Sequence, residues 1–453
     1  MVETEDGNPA RPGVAETSPA TAPEVVKRRW MWEALAYPDF ALYFAGSVVS
    51  NLGTWLQNTA QALLAYQLTH SVLAIGAVVC AQFIWVLVGG AWAGRFVSRT
   101  HSVQRLVIRT QVASAVVAGT MAVLQFHHLL NEQLLVVGAL GLGLAYFLTL
   151  PATAVLVPAF VPERGSDLET QRAIRAAVAL DSASYNIGRC AAPLLAVLVV
   201  IRVGFGLAFA LNAASFLVLA AALTKARLQT TLRPNREAKI RDGFRIVNQN
   251  PKIKHLLLIV AAVTIAADPV LVLGPALAHH FHRPEAWAGY FLSALGGGTI
   301  LASFVPLRPP SKVRHAAYPL FGLGAAVAVF GLGINPWWSL AAAGMAGIAC
   351  LFAGSTARAL LWSLVPEDQE RPAIMAIWAV AWAGSKPLAS LVDGLLATFI
   401  GASLAGALSL DITGVQITGL LLAIPALIPA LLPTVLMRKR YGGVTRHRQL
   451  TSS

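Results

Sequence analysis

The chain has 453 residues, of which 56% are hydrophobic and only 12% are charged. Soluble domains carry about 25% charged residues, so this composition excludes an ordinary soluble protein and favours a surface that faces lipid. The formal net charge of +13 at pH 7 does not indicate a nucleic-acid-binding protein, because Lys and Arg cluster in short segments between long apolar runs. This alternation is the positive-inside pattern that sets the orientation of membrane proteins.

The N-terminal segment, residues 1–29, is rich in Ala, Pro, Thr and Glu and contains no apolar run. Such a composition buries too little apolar surface to fold, so we predict a disordered cytoplasmic tail. No apolar segment follows a basic start, so a cleavable signal peptide is not predicted. Lys27, Arg28 and Arg29 precede the first apolar run and place the N-terminus inside.

Twelve apolar runs are long enough to cross a bilayer, which requires about 20 residues. They lie at 40–66, 72–96, 105–126, 134–158, 175–200, 203–224, 255–279, 286–306, 316–334, 338–361, 373–400 and 414–436. We therefore predict an all-α membrane protein with twelve transmembrane helices in two six-helix halves, residues 36–224 and residues 255–437.

A polar, basic linker, residues 225–254, separates the two predicted halves. In it, Ile240, Phe244 and Val247 recur at helical spacing among basic residues, which predicts an amphipathic helix at the cytoplasmic membrane surface. The C-terminal tail, residues 438–453, is also basic, whereas the predicted outside loops carry only Arg202 and Arg283. The expected location is the inner (plasma) membrane, with several spans and both termini cytoplasmic.

Short landmarks recur in the same order in the two predicted halves. Val-Pro-Glu at 161–163 follows the fourth span and recurs at 365–367 after the tenth. Pro193 lies in the fifth span and Pro387 in the eleventh. Matches of this kind favour a duplicated 6+6 transporter architecture.

Three stretches of the sequence form recognisable motifs: SNLGTWLQ at 50–57 with YQLT at 66–69, SYNIGRCAAP at 184–193, and RDGFR at 241–245 with Asn-Pro at 250–251. With these motifs the chain resembles the major facilitator superfamily, and within it the branch of the enterobactin exporter and macrolide efflux proteins. The resemblance covers about residues 36–437. It implies a major facilitator fold, transport by alternating access and no enzymatic activity.

The chain departs from the superfamily pattern in two places. The loop between spans 2 and 3 usually reads like GxxxDRxGRR; here Gly94 and Arg99 fit, but Ser98 replaces the Asp. Ser98 cannot form the ion pair by which that Asp helps to hold the inner gate, so the gate must be held differently. In span 5, Ala192 replaces the Gly of the antiporter-type Gly-Pro pair.

Polar side chains form stripes at helical spacing on spans 1, 5 and 11, as expected for the walls of a water-accessible cavity. The predicted substrate or cavity residues are Asn58, Gln61, Tyr185, Arg189, Trp378, Trp382 and Lys386. Alternatives remain open: Arg189 as a structural latch, Trp378 and Trp382 as packing or lipid-facing residues, and span-1 amides that only bond to neighbouring helices.

Three intramembrane carboxyl groups are candidates for proton coupling: Asp181, Asp268 and Asp393. Burial favours the neutral form of a carboxyl group, which suits a proton carrier. Asp181 has the alternative of pairing with Arg189 or Arg175. Asp268 precedes Pro269, which removes a backbone donor, so we predict that span 7 is kinked.

No sequence feature predicts a cofactor, a metal site or catalysis. Cys80, Cys190 and Cys350 lie in apolar runs and are interpreted as packing residues. His279, His280 and His282 gather at the outer end of span 7, and a polar rim explains them better than a metal, because no carboxylate or Cys spacing completes a site. A phosphate-binding loop is absent from the sequence, so ATP hydrolysis is not expected.

The predicted function is secondary active, proton-coupled export of an amphipathic small molecule such as a drug, siderophore or secondary metabolite. Its partners would be that substrate, the lipid bilayer and the proton gradient, and the protein is expected to be a monomer. One alternative is an importer or uniporter of a small polar solute. Another is a membrane receptor or scaffold that transports nothing.

Overall fold

The computed structural model describes residues 32–162, 167–229, 240–305, 312–364, 371–400, 403, 416–424 and 426–427, and these residues are almost entirely helical. A 3-10 turn, Trp32–Ala36, leads into the first long helix. The first six helices are α1 (Pro38–Thr69), α2 (Val72–Arg99), α3 (Val103–Phe126), α4 (Glu132–Leu156), α5 (Asp167–Arg202) and α6 (Phe205–Lys225). The tails at 1–29 and 438–453 lie outside the described residues.

The later part of the chain contains shorter and more interrupted helices. They are α7 (Ile240–Gln249), α8 (Pro251–Ala267), α9 (Pro269–Val272), α10 (Gly274–His280), α11 (Ala286–Ser303), α12 (Arg314–Leu332), α13 (Pro336–Leu364), α14 (Arg371–Ala383) and α15 (Lys386–Leu395). A π-helical turn, Leu396–Ile400, follows α15, and residues 416–424 are helical. Among the described residues of the predicted linker, α7 forms a helix, and its role at the membrane surface stays a prediction.

Local sequence explains where several helices begin. Ser71 and Asn131 precede α2 and α4, and each side chain accepts a hydrogen bond from a backbone N–H of the first turn. Asn250 does the same before α8, where Pro251 occupies the first helical position. These caps satisfy donors that have no partner inside a helix, so short polar loops can end one span and begin the next.

Among the described residues, eight helical segments have the length and apolar composition of a membrane span. They correspond to predicted spans 2 to 7, 9 and 10, so the multi-pass, helical class of the prediction is confirmed. Predicted spans 1, 8, 11 and 12 are not among the eight. Polar residues lower the mean hydropathy of span 1. A break between α14 and α15 divides span 11, and span 12 is only partly described. The count of twelve stays a prediction.

Predicted span 7 is divided into three helices rather than bent once. The first break lies at Asp268, because Pro269 has no N–H to donate to a carbonyl oxygen of the preceding turn. The carbonyl oxygen of Asp268 accepts hydrogen bonds from the N–H groups of Leu271 and Val272 and so belongs to the next helix. The second break precedes Gly274 and Pro275. The predicted kink is therefore present, and it places Asp268 at a helix end.

Two groups of helices pack within themselves and then against each other. In the first, α1 packs on α5 and α6, α2 on α4, and α3 on α4 and α6; in the second, α8, α11 and α12 pack on α13. Between the groups, α2 packs against α14 and α15, and α5 packs against α11. The candidate site lies where these last two interfaces approach α1.

Candidate functional site

Two cationic side chains converge on one indole ring. Trp55 lies on α1 and is 6% exposed. The Cζ atom of Arg189 on α5 lies 5.8 Å from the centroid of this ring, and the Nζ atom of Lys386 lies 5.7 Å from it. Both distances are in the range of cation–π attraction. Lys386 begins α15, so the cluster joins the two groups of helices.

Aromatic rings extend this cluster along one wall. The Nζ atom of Lys386 also lies 4.5 Å from the ring centroid of Phe83 on α2. Tyr185 meets Trp55 edge-on at 5.5 Å, and Tyr146 of α4 meets Phe83 edge-on at 5.6 Å. Four rings from four helices and two cations are therefore linked by contacts, of which Trp55 and Phe83 supply those to the cations. We call Trp55, Phe83, Tyr146, Tyr185, Arg189 and Lys386 the cation–aromatic cluster.

One buried carboxyl group, that of Asp268, interacts with this cluster by charge, and a second, that of Asp393, interacts with the first. Asp268, at the break between α8 and α9, is 6% exposed, and Asp393 on α15 is fully buried. Asp268 interacts electrostatically with Lys386, Arg189 and Asp393. Within the described residues, the Oδ2 atom of Asp268 and both carboxyl oxygens of Asp393 have no hydrogen-bond partner. Buried carboxyl groups without partners are costly, which marks them as candidates for function.

The local backbone explains why Lys386 can reach α1 and α2. Gly384 lies between α14 and α15, and a Cβ added there would lie 2.5 Å from the carbonyl oxygen of Val380 and 3.4 Å from the Cα atom of Leu87. Pro387 then occupies the first turn of α15. The chain is thus bent and pressed against α2 immediately before the lysine.

The other aromatic residues predicted on span 11 belong to a second stack. The rings of Trp378 and Trp382 are nearly parallel at 5.9 Å, and the Cζ atom of Arg358 on α13 lies 4.7 Å from the ring centroid of Trp378. Lys386, predicted on the same stripe, instead contacts Trp55 and Phe83. The break between α14 and α15 interrupts the regular helical spacing on which the single stripe depended.

The polar residues of α1 have different surroundings. The Oδ1 atom of Asn58 accepts a 3.0 Å hydrogen bond from Nε2 of Gln82 on α2. Gln61 is 1% exposed, and neither polar atom of its side chain has a hydrogen-bond partner within the described residues. Their lining of a cavity stays a prediction.

Asp181 bonds to a tyrosine rather than to either arginine considered from the sequence. The hydroxyl group of Tyr43 on α1 donates a 2.7 Å hydrogen bond to its Oδ1 atom. One turn further along α5, the hydroxyl group of Ser184 lies 3.1 Å from that of Ser47 and accepts a 2.9 Å hydrogen bond from Asn51. This part of the α5 stripe therefore holds α1 and α5 together.

The predicted gate loop follows the C-terminal end of α2. No atom of the described residues lies within 4 Å of a Cβ added at Gly94, and the hydroxyl group of Ser98 donates to the carbonyl oxygen of Arg95 on its own helix. A recess of about 300 Å³ lies here, lined by Trp92, Arg95, Phe96, Arg99 and Thr100. The described contact of Ser98 is local and joins no second helix.

Near the C-terminal end of α1, three ionisable residues interact with one another: Glu285, His70 and His279. Glu285 precedes α11, and burial raises the pKa of its carboxyl group while His70 and His279 act to lower that pKa. His70 follows α1, and His279 lies in the last turn of α10. His279, predicted as part of a polar rim, thus interacts with a carboxyl group.

Sequence reasoning missed Trp55, Phe83 and Tyr146 as site residues. Trp55 was within reach, because it lies in the SNLGTWLQ stretch and one turn from Asn51 and Asn58 on the polar side of α1. Phe83 and Tyr146 lie in uniformly apolar runs and give no signal of their own.

A family model described as transmembrane secretion effector matches residues 31–434, so the chain belongs to that family of the major facilitator superfamily. Membership of this family makes the protein a membrane transporter and not an enzyme. The narrower resemblance to the branch of the enterobactin exporter and macrolide efflux proteins stays a prediction. No curated protein sequence matches the chain.

Solved transporter structures share the fold at low sequence identity. A bacterial homolog of the human lysosomal transporter Spinster, inward-facing and occupied, superposes with a TM-score of 0.67 at 12% identity, covering 89% of this chain and 97% of that one. The POT family transporter PepTSo gives 0.66 at 10% identity, covering 89% and 98%. The nucleoside transporter NupG gives 0.61 at 15% identity, covering 88% and 99%.

Proposed function

We propose that this protein is a proton-coupled exporter of an amphipathic small molecule, working by alternating access. Twelve transmembrane helices would form two six-helix halves, residues 36–224 and 255–437, in the plasma membrane with both termini inside. The observation that carries the proposal is the cation–aromatic cluster, because it brings Arg189 and Lys386 from different halves to one ring.

Alternating access requires that the halves touch at one end and separate at the other. Helices α2 and α15 come close together near the predicted outer end. There the backbone of α15 packs directly on Gly76 of α2, and the backbone of α2 packs directly on Gly394 of α15. Gly289 of α11 similarly meets Val197 and Pro193 of α5. At the predicted inner end of α2, no atom of the part of the chain that the structure describes lies within 4 Å of a Cβ added at Gly94. These contacts support a state that is closed outside and open inside.

Proton coupling would use the buried carboxyl groups. Asp268 lies at a helix break, and Asp393 lies on α15 seven residues after Lys386, so movement of either helix changes the distance between carboxyl groups and cations. Asp181 is a third candidate, but its hydrogen bond to Tyr43 gives it a structural task as well. We therefore place Asp268 and Asp393 first.

The decisive test is accumulation of amphipathic fluorescent compounds in cells with and without the protein, each with and without an uncoupler. Export driven by protons predicts lower accumulation in expressing cells, and the uncoupler should remove that difference. A difference that persists in the presence of the uncoupler would rule out the proton-driven mechanism.

Asp268→Asn and Asp393→Asn should each reduce transport driven by a pH gradient by about tenfold or more, because an amide cannot carry the proton. The measurement is transport in proteoliposomes with an imposed pH gradient. Asp39→Asn is the matched control, because Asp39 lies at the start of α1 and accepts hydrogen bonds from Arg227 and Gln229 outside the cluster. Full coupling in both cluster mutants would eliminate their proposed role.

A further inference from the structure

We infer that the cation–aromatic cluster binds an aromatic organic anion, with the anionic group between Arg189 and Lys386 and the ring against the aromatic wall. This assignment rests on the proposed function, since it names the substrate class of the same site. It goes beyond an amphipathic substrate, because it gives the sign of the charge and the kind of apolar group.

Among the described residues, the two cations are brought together without an anion in contact. Arg189 and Lys386 lie within cation–π distance of the same indole ring, so two like charges share one small region of low dielectric constant. Repulsion between the two positive charges disfavours this arrangement. In the described structure, both cations contact aromatic rings. A bound anion would relieve the repulsion and bond to both side chains at once.

The buried carboxyl groups leave these donors free. Within the described chain, Oδ2 of Asp268 and both oxygens of Asp393 have no hydrogen-bond partner, and neither does the Nε atom of Arg189. Asp268 therefore acts on the cations across space and does not occupy their hydrogen-bonding positions. Arg189 and Lys386 are half-buried, so part of each side chain remains accessible.

The wall beside the cations suits a flat ring. Trp55 and Phe83 each contact a cation and each meet a tyrosine edge-on, Tyr185 and Tyr146 respectively. Aromatic groups pack against such faces and edges with directional preference, in addition to the burial of their apolar area. An anion that carries an aromatic ring would satisfy both parts of the cluster, whereas a cation would have to displace Arg189 and Lys386 towards Asp268.

Three probes with the same ring and different charge test this inference: 2-naphthoate, 2-naphthylmethanol and 2-naphthylmethylammonium. Their dissociation constants are measured by calorimetry with the full-length protein in nanodiscs, without any gradient. We expect the carboxylate to bind about tenfold tighter than the alcohol, as a charge-assisted pair predicts, and the ammonium compound to bind most weakly.

Substitutions assign this preference to the cluster. Lys386→Gln and Arg189→Gln should each bring the carboxylate and the alcohol to similar affinities, and Lys386→Arg should keep the preference because it keeps the charge. Arg283→Gln is the matched control, since Arg283 lies 5.5 Å from the ring centroid of Trp287 outside the cluster. Unchanged melting temperature and a single size-exclusion peak show that each variant is folded.

Equal, reversed or undetectable binding of the carboxylate would overturn the inference, as would a preference that survives in the Arg189→Gln, Lys386→Gln double variant. Proteoliposome transport of the same probes separates this result from the proposed function. If the anion binds but is not transported in response to a pH gradient, the inferred ligand class stands and proton-driven transport is contradicted. If only the ammonium probe is transported in response to the gradient, proton-driven transport stands and the inferred ligand class is contradicted.

Discussion

The Nδ2 atom of Asn212 on α6 donates a 2.7 Å hydrogen bond to Oε1 of Gln57 on α1, and both side chains are almost fully buried. Ser215 donates to Oδ1 of Asn212, and Nε2 of Gln57 lies 3.6 Å from the sulfur atom of Met121 on α3. In a bilayer these polar contacts connect helices whose apolar surfaces gain little by leaving lipid. Three helices beside the cluster are thus joined through two amides.

Asn212→Leu should lower the free energy of unfolding by about 1–2 kcal/mol, because it leaves the Gln57 oxygen buried without its donor. Denaturation of the purified protein in mixed micelles measures the change. Thr120→Val on α3 is the control, since the Thr120 hydroxyl group is exposed and bonds only to its own helix at Val116 in the described structure. Equal stability of wild-type protein and the Asn212 variant would show that this hydrogen bond contributes nothing net.

At the scale of helices, the crossing of α5 and α11 sets how close the two groups can come near Arg189. A Cβ added at Gly296 would lie 2.5 Å from the Cα atom of Cys190 and 2.7 Å from the carbonyl oxygen of Arg189. At the next residue, Gly297, the nearest atom would be the sulfur of Cys190 at 3.9 Å. Only the first glycine is needed for the close approach of the two backbones.

Gly296→Ala should therefore destabilise the protein by about 1–3 kcal/mol, the usual cost of overpacking, and should displace Arg189 from Trp55. Gly297→Ala, which adds the same methyl group one residue away, should leave the melting temperature nearly unchanged. Thermal unfolding of both variants in detergent measures the difference. Similar melting temperatures for the two variants would contradict the close backbone contact.

At the scale of the whole molecule, orientation follows from charge. The loops, the central linker and the tails that are predicted inside together carry most of the Lys and Arg residues, and the predicted outside loops carry only Arg202 and Arg283. Moving basic segments across the membrane is unfavourable, so we predict that the cation-rich ends remain in the cytoplasm. The open recess at the end of α2 would then face the cytoplasm, and Glu285 with its two histidines would face outwards.

Cysteine labelling tests this orientation. In a variant with Cys80, Cys190 and Cys350 replaced, His101→Cys should react with a membrane-impermeant maleimide only after the cells are permeabilised. Leu129→Cys, in the loop between α3 and α4, should react in intact cells, since Leu129 is 61% exposed at the opposite end of α3. Labelling of His101→Cys in intact cells would reverse the proposed topology.

The sequence by itself determined the class of protein, the approximate positions of most spans and the break at Asp268-Pro269. These properties depend on runs of neighbouring residues: apolar length, basic loops and a proline without an N–H group. The family followed from short contiguous stretches for the same reason. Asn58, Gln61, Arg189 and Lys386 could be singled out because a polar residue is conspicuous in an apolar run.

Only the tertiary structure decided which of these residues meet. Asp181 bonds to Tyr43, 138 positions away, and Lys386 reaches Trp55 and Phe83 on helices of the other group. Helical spacing predicts which residues share a face of one helix, but it does not contain the crossing angles, rotations and breaks that bring faces together. Close packing at glycines such as Gly296 and Gly384 sets those quantities, and it makes the Trp55 ring the meeting point of Arg189 and Lys386.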